Sequence, residues 1–332
     1  MNRIIYCLLW AALGVYLISG VANAADDDFV HRAGAEKLVK QLADRGIPAA
    51  KTRQLLAATK KNSSVLDRMR NPAETRLDWG EYRAIFVTPK RARQGLRFVR
   101  QHREAFQRAE RRYGVPVSVV AAILGVETRY GQHMGQERVL DSLATLAFDY
   151  PPRADFFRKE LRAFIKLCVQ DDLDCQNLKG SYAGAIGLPQ FIPTSYLAYA
   201  VDGDDDGERD LWQPADAIAS VASYLSRHDW KNGAGVASRA RVTAGSPAAE
   251  VAQSRPDSTN TSWARIARDG AAAFDTSPSA DARVALMRLN GKNGREYWLA
   301  QHNFFVITTY NHSDLYAMAV HQLSQAIAKR LD

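Results

Sequence analysis

Glu127 stands where helix packing alone would put another apolar side chain. Val119, Val120, Ile123 and Leu124 recur at helical spacing, and Glu127 follows four residues after Ile123 and seven after Val120. A carboxylate near the end of such a helix is desolvated and faces the negative end of the helix dipole, and both effects favour its protonated form. A carboxylic acid that keeps its proton near neutral pH can deliver it to a leaving oxygen, as cleavage of a glycosidic bond requires. Position alone fits a surface glutamate paired with Arg129 equally well, so the other segments must discriminate.

Downstream, Gly180-Ser181-Tyr182-Ala183-Gly184-Ala185-Ile186-Gly187-Leu188-Pro189-Gln190-Phe191-Ile192-Pro193 is too rich in Gly and Pro for a regular helix. It reads as a turned segment that lets backbone approach a ligand, with Ser181 and Gln190 as its hydrogen-bonding members. A turn cap and a loop tie are the structural alternatives for the same two residues.

A second cluster is acidic. Asp202, Asp204 and Asp206 take positions one, three and five of an EF-hand-like loop, Gly207 the sharp turn at six, and Glu208 the backbone-carbonyl position at seven. Hard oxygen donors at this spacing suit a structural calcium ion, although position twelve is Gln213 where an ordinary EF-hand has a bidentate Glu. The alternative is a solvated acidic turn. Zinc is not expected, because the mature Cys and His residues show no paired ligand spacing.

The elements that must position these groups are mostly helices. Leu38, Leu42, Leu55, Leu56 and Val65 fall at helical intervals over 29–113, and Thr88-Pro89 caps a long basic stretch through Phe98 and Phe106 to Arg112. The Glu127 helix is expected over 116–131, with Gly131 as its C-terminal cap, and further helices over 155–168, 214–227 and 315–328. Between 233 and 303 small residues, Ser, Thr and Pro dominate, and apolar runs at 282–289 and 296–299 flank a turn at 290–294. That pattern predicts a hairpin in a partly β lobe inserted between parts of a helical core.

Composition narrows the class. The chain has 332 residues, 46% apolar and 24% charged, which are the proportions of a folded globular protein, and its formal net charge is +8. Residues 1–24 read as a signal peptide: Arg3, an apolar run over 4–18, then Ala22-Asn23-Ala24 as a small-x-small cleavage signal. Cys7 follows Tyr6 and lies too early in the apolar run for lipid attachment. Export argues against nucleic acid as the partner of a basic chain and leaves the acidic cell envelope, with no stable membrane span after cleavage. The mature cysteines, Cys168 and Cys175, are either bridged or free thiols.

Four runs carry a family resemblance: GVETRYG at 125–131, GSYAGAIGLPQFIPTSY at 180–196, DGDDDGERDLWQP at 202–214, and TTYNHSDLYAMAV at 308–320. Across nearly all of the mature chain the sequence resembles the lytic murein transglycosylase B family, whose catalytic core is goose-type lysozyme-like. The resemblance implies a mainly α (α+β) fold in a periplasmic enzyme that cuts the MurNAc-(1→4)-GlcNAc bond of peptidoglycan. Glu127 would be the single acid/base, forming 1,6-anhydromuramic acid without water or a catalytic cofactor. It also implies substrate handling by Ser181, Gln190, Tyr82, Arg153, Tyr224, Tyr310, Asn311 and Tyr316, and a bidentate calcium role for Asp216 beside Asp202, Asp204, Asp206 and Glu208. One departure bears on peptide-stem contacts: Tyr150-Pro151-Pro152-Arg153 has one arginine where the family often has two.

With that resemblance the chain divides into a signal peptide at 1–24, an N-terminal helical region at 25–113 and a lysozyme-like catalytic core at 114–232 with its EF-hand-like loop at 202–216. A partly β lobe at 233–302 and a C-terminal return to the core at 303–332 complete it. Glycan strands of peptidoglycan are the expected partner. Two other functions fit the same residues. A hydrolytic muramidase would add Asp141, Asp149 or Asp155 as a second carboxylate, and a non-catalytic peptidoglycan-binding protein would keep the site unused.

Overall fold

The computed structural model describes residues 28–71, 77–171, 173–274 and 277–331. The signal-peptide reading at 1–24 and Cys7 lie outside the described residues. The fold is mainly helical with a small sheet, and the chain forms two compact units that do not follow chain order. One takes in Glu74–Tyr130 and Val221–Asp332; the other combines the described part of Leu8–Ala73 with Gly131–Ser220.

In the first unit, helix Trp79–Phe86 starts on a capping box between Asp78 and Glu81. Helix Pro89–Gln101 starts on Thr88 with Pro at the first position, as the sequence predicts. The single basic helix expected through Arg112 is instead two, Pro89–Gln101 and Arg103–Tyr113, broken at His102. Phe98 and Phe106 would stand about 12 Å apart along a straight helix, whereas the break brings their ring centroids to 5.9 Å, edge to face, in the core.

The Glu127 helix is Val117–Thr128, and it is buried on every side from Val119 to Thr128 rather than along one stripe. Helices Asp314–Ala328 and Pro89–Gln101 both pack on it, which is why it is apolar almost throughout. Its C-terminal cap is Arg129, already left-handed, not Gly131.

The inserted region forms a five-stranded antiparallel sheet in the order Thr261–Ser262, Arg283–Gly291, Gly294–Ala300, Ala237–Val242, Ala271–Ala273. The predicted hairpin is present but tighter: Gly291 pairs with Gly294, leaving a two-residue turn, with Gly294 at φ 109°. One sheet face has its own core of Ala240, Val284, Leu286 and Leu299 under Trp263 and Ile266.

In the second unit, helix Val139–Asp149 packs on Ser63–Arg70 and on Ala154–Gln170. Cys168, on the last of these, is bridged to Cys175 with Cα atoms 5.6 Å apart, which resolves the open alternatives in favour of the disulfide. Helix Pro214–Arg227 has the predicted limits.

Candidate active site

Glu127 lies one residue before the end of its helix and is 6% exposed. Its Oε1 accepts a hydrogen bond from the Tyr316 hydroxyl at 2.6 Å. Tyr316 is supplied by helix Asp314–Ala328, whose start is capped by Ser313. Two more tyrosines extend the cluster. Tyr310, at the end of helix His302–Tyr310, lies parallel to Tyr316 with centroids 6.3 Å apart, and Tyr224 meets Tyr310 edge-on at 4.9 Å. Tyr224 donates to the Thr309 carbonyl at 2.7 Å and stacks on His228 at 4.0 Å.

The electrostatics follow from burial. Desolvation first, then the Glu127 charge, push the Tyr316 and Tyr310 phenols well above the usual tyrosine range. Both rings therefore keep their protons at neutral pH. A hydroxyl of this kind can donate to a carboxylate and can equally accept from a carboxylic acid. Tyr316 is thus a partner for Glu127 in either protonation state. Tyr316, expected from the sequence to handle substrate, is fully buried and its hydroxyl is directed at the Glu127 carboxyl group.

Asn311 caps helix His302–Tyr310 and is 5% exposed. Its Oδ1 has no hydrogen-bond partner among the described residues, which leaves a buried acceptor for a ligand N–H or O–H. Tyr82 is buried on helix Trp79–Phe86, its ring 4.7 Å from that of Phe86. Glu127, Tyr82, Tyr224, Tyr310, Asn311 and Tyr316 all belong to the first unit.

Ser181, Gln190 and Arg153 belong to the second unit. Ser181 Oγ accepts from the amides of Ala185 at 3.0 Å and Ala183 at 3.3 Å, so the turn-cap alternative is realised. Both lone pairs are then used, and the hydroxyl proton remains to donate. Gln190, at φ 52°, donates through Nε2 to the carbonyls of Gly187 and Met134 at 2.9 and 3.2 Å, tying down its own loop while Oε1 remains an acceptor. The Arg153 guanidinium lies over Phe156 at 4.4 Å and Phe157 at 5.2 Å.

The acidic loop gathers carboxylate oxygens of Asp202, Asp204 and Asp216 within 4.8 Å of one another. Asp202 accepts amides from Asp205 at 2.7 Å and Gly207 at 2.8 Å, and these, the Gly207 amide foremost, hold its carboxyl below the usual range. Buried Asp216 accepts from Gly203 at 2.7 Å and Asp210 at 2.6 Å, yet burial and the carboxylates of Asp204 and Asp202 raise it. Three crowded carboxylate oxygens of this kind could hold a hard cation. Asp206 and Glu208 are exposed outside this cluster, and Asp206 accepts the Glu208 amide at 2.9 Å.

Sequence reasoning missed two features. Glu160 is more deeply buried than Glu127, at 1% exposure, but its carboxylate takes the amide and hydroxyl of Thr194, each at 2.9 Å, at the start of helix Pro193–Tyr199. Tyr130, inside the Glu127 motif, folds back on the helix at φ 60° and donates to the Arg91 carbonyl at 3.1 Å; Gly95 and Gly125, against which it lies, were its traces in the sequence.

The family described as transglycosylase SLT domain matches residues 31–325. The chain is 39% identical over 312 residues to membrane-bound lytic murein transglycosylase B of Escherichia coli (strain K12), covering 91% of this chain and 84% of that protein. The crystal structure of catenated lytic transglycosylase SltB1 from Pseudomonas aeruginosa superposes with a TM-score of 0.86 at 42% identity, covering 92% of this chain and all of that one. The Escherichia coli lytic transglycosylase Slt35 in complex with calcium superposes with a TM-score of 0.82 at 38% identity, covering 92% and 96%.

Proposed function

Because the chain belongs to the transglycosylase SLT domain family, we propose that it is a peptidoglycan lytic transglycosylase that cuts the MurNAc-(1→4)-GlcNAc bond with Glu127 as its one acid/base. The observation that carries this reading is the Glu127–Tyr316 pair: a buried carboxyl group whose neighbour is a hydroxyl that serves both protonation states. In the first step Glu127 gives its proton to the leaving oxygen. The carboxylate then accepts the proton of the muramoyl 6-hydroxyl as that oxygen attacks the anomeric carbon, forming the 1,6-anhydro ring. Tyr316 holds the carboxylate between the two steps.

Substrate contacts are assigned to Tyr82, Tyr224, Tyr310 and Asn311 in one unit and to Ser181, Gln190 and Arg153 in the other. Aromatic rings suit sugar faces, and the unused Asn311 Oδ1 and Ser181 O–H suit sugar hydroxyl and acetamido groups. Arg153 suits a lactyl or peptide carboxylate.

The hydrolytic alternative needs a second carboxylate, and each of the three candidates is ion-paired, Asp155 only at the surface. Asp141 is bound by Arg138 at 2.8 Å and by the Lys60 amide, Asp149 by Arg32 at 2.7 Å, and Asp155 by Arg158 at 3.0 Å.

Asp202, Asp204 and Asp216 would hold a calcium ion, with Asp206 and the Glu208 carbonyl closing on it. It would neutralise the crowded carboxylates and fix the start of helix Pro214–Arg227. The Cys168–Cys175 bridge fits an oxidising compartment, and among the described residues no helix is long and apolar enough to cross a membrane. The bridge supports a periplasmic enzyme exported by the 1–24 segment.

The test is digestion of isolated peptidoglycan with the purified protein, followed by mass analysis of the soluble products. Anhydro-ended muropeptides support the reading. Reducing-ended products would move it to a muramidase, and sacculus binding without release would move it to a binding protein.

A further inference from the structure

The residues that close the Glu127 motif take no part in the chemistry above, yet their backbone is unusual. Arg129, Tyr130 and Gly131 all have positive φ, at 51, 60 and 86°. Two successive non-glycine residues in the left-handed region persist only where the surroundings hold them. The Tyr130 amide returns to the Leu124 carbonyl at 3.1 Å, and its ring folds back beside the helix, 5.5 Å from the ring of Phe98. Its hydroxyl donates to the Arg91 carbonyl at 3.1 Å, and burial pushes the phenol up.

The slot that receives this ring is walled by glycines of two helices. A Cβ at Gly95 would lie 2.4 Å from the Tyr130 hydroxyl oxygen, and a Cβ at Gly125 would lie 2.4 Å from the same oxygen and 2.6 Å from Cζ. Arg91 completes the enclosure: its Nη1 donates to the Gly125 carbonyl at 3.3 Å. Burial pulls its guanidinium down to about 10, so it stays a cation at neutral pH, where the end of a helix favours one. Glu127 lies two residues after Gly125 and three before Tyr130, between the two points that are pinned.

We propose that Tyr130, seated between Gly95 and Gly125, is a positioning residue for Glu127. It fixes the last turn of the helix and hence the place at which the carboxyl group meets the Tyr316 hydroxyl. The inference rests on the reading of Glu127 as the acid/base for its effect on rate, but not for its effect on the helix end. A misplacement of about 1 Å at a reacting group can cost roughly 100-fold in rate, so the slot has kinetic consequences although Tyr130 touches no substrate.

The test uses Gly95→Ala, Tyr130→Phe and the double variant in the full mature chain, with kcat, KM, melting temperature and hydrogen exchange of the Tyr130 amide measured for each. A methyl group at Gly95 would lie 2.4 Å from the Tyr130 hydroxyl oxygen and 2.7 Å from Cδ1 of the buried Ile327. Gly95→Ala should therefore lower kcat by about 10- to 100-fold, leave KM within about twofold, and speed exchange of the Tyr130 amide. Tyr130→Phe alone should cost only a few-fold in kcat. The double variant should recover part of the rate and the protection, because the nearer clash, with the hydroxyl oxygen, is gone while that with Ile327 Cδ1 remains. Crowding at Gly95 should also lower the melting temperature, so the proposal is judged on kcat and Tyr130 amide exchange: wild-type kcat in Gly95→Ala overturns it, as does a double variant no faster than Gly95→Ala. Glu127→Gln is run alongside. If it keeps activity, the catalytic reading fails, and the positioning proposal is then judged by amide exchange: protection lost in Gly95→Ala and regained in the double variant supports it, and unchanged protection overturns it.

Discussion

Glu127 and the 202–216 loop both concentrate carboxylate chemistry, but Glu127 meets a tyrosine hydroxyl at 2.6 Å where Asp202 meets two backbone amides at 2.7 and 2.8 Å. A hydroxyl can reverse its hydrogen bond when the carboxyl gains a proton; an amide cannot. One environment therefore suits a group that changes protonation state, whereas the other holds Asp202 charged while burial and the neighbouring carboxylates push Asp216 the opposite way. Glu160 sharpens the contrast. It is buried more deeply than Glu127, but a backbone amide and a threonine hydroxyl both point at it, and it anchors a helix start. Burial alone does not make an acid/base; the kind of donor facing it does.

The largest expected effect breaks the first side of this comparison. Glu127→Gln keeps the shape and the Tyr316 contact but has no proton to give, and it should lower fragment release from sacculi by about 100- to 10,000-fold. Its melting temperature should be unchanged or raised, and sacculus binding retained; a variant with more than a tenth of wild-type activity would remove Glu127 from the mechanism. Tyr316→Phe should cost about 10- to 100-fold in kcat, as loss of one hydrogen bond to a charged group of about 1.5–3 kcal/mol. Unchanged kcat would show that the hydroxyl does not hold the carboxylate.

The other side is tested by stability. Calcium at about 100 times its Kd should stabilise the wild type by about 2.7 kcal/mol, and Asp202→Ala with Asp206→Ala should abolish that calcium-dependent rise in melting temperature while leaving the calcium-free value nearly the same. An equal rise in variant and wild type would contradict a cation site.

The smallest effect comes from a control for charge burial outside both regions. Burial pulls His321 down to about 4, and its Nε2 has no hydrogen-bond partner among the described residues. An unfolded chain takes up that proton near pH 6.5, so the stability carried by the neutral ring is complete above about 6.5 and is lost as the pH falls toward 4. His321→Gln should flatten the fall in melting temperature between pH 6.5 and 4.5, and an unaltered slope would assign the acid sensitivity to other groups.

Much of this was legible in the sequence because it is written in local patterns. The interrupted apolar stripe marked Glu127, and Asp202-Gly203-Asp204-Asp205-Asp206-Gly207 marked the acidic loop by its spacing. The hairpin was legible from its Gly291-Lys292-Asn293-Gly294 turn, and helix Pro214–Arg227 from its periodicity. What stayed hidden depends on residues far apart in sequence. The Tyr316 hydroxyl reaches Glu127 across 189 residues. The break at His102 exists because Phe98 and Phe106 bury edge to face, which no local preference at His102 announces. Ser181 and Gln190 were found, but their commitment to Ala185, Gly187 and Met134 could be seen only once the turned segment had closed.

The most direct test of the single-carboxylate mechanism is to digest peptidoglycan in water enriched in oxygen-18 and to weigh the newly formed muramoyl ends. The muramoyl 6-hydroxyl as nucleophile predicts anhydro ends that carry no label. Reducing ends with one oxygen-18 atom at the anomeric position would show that water attacks, and would contradict the account.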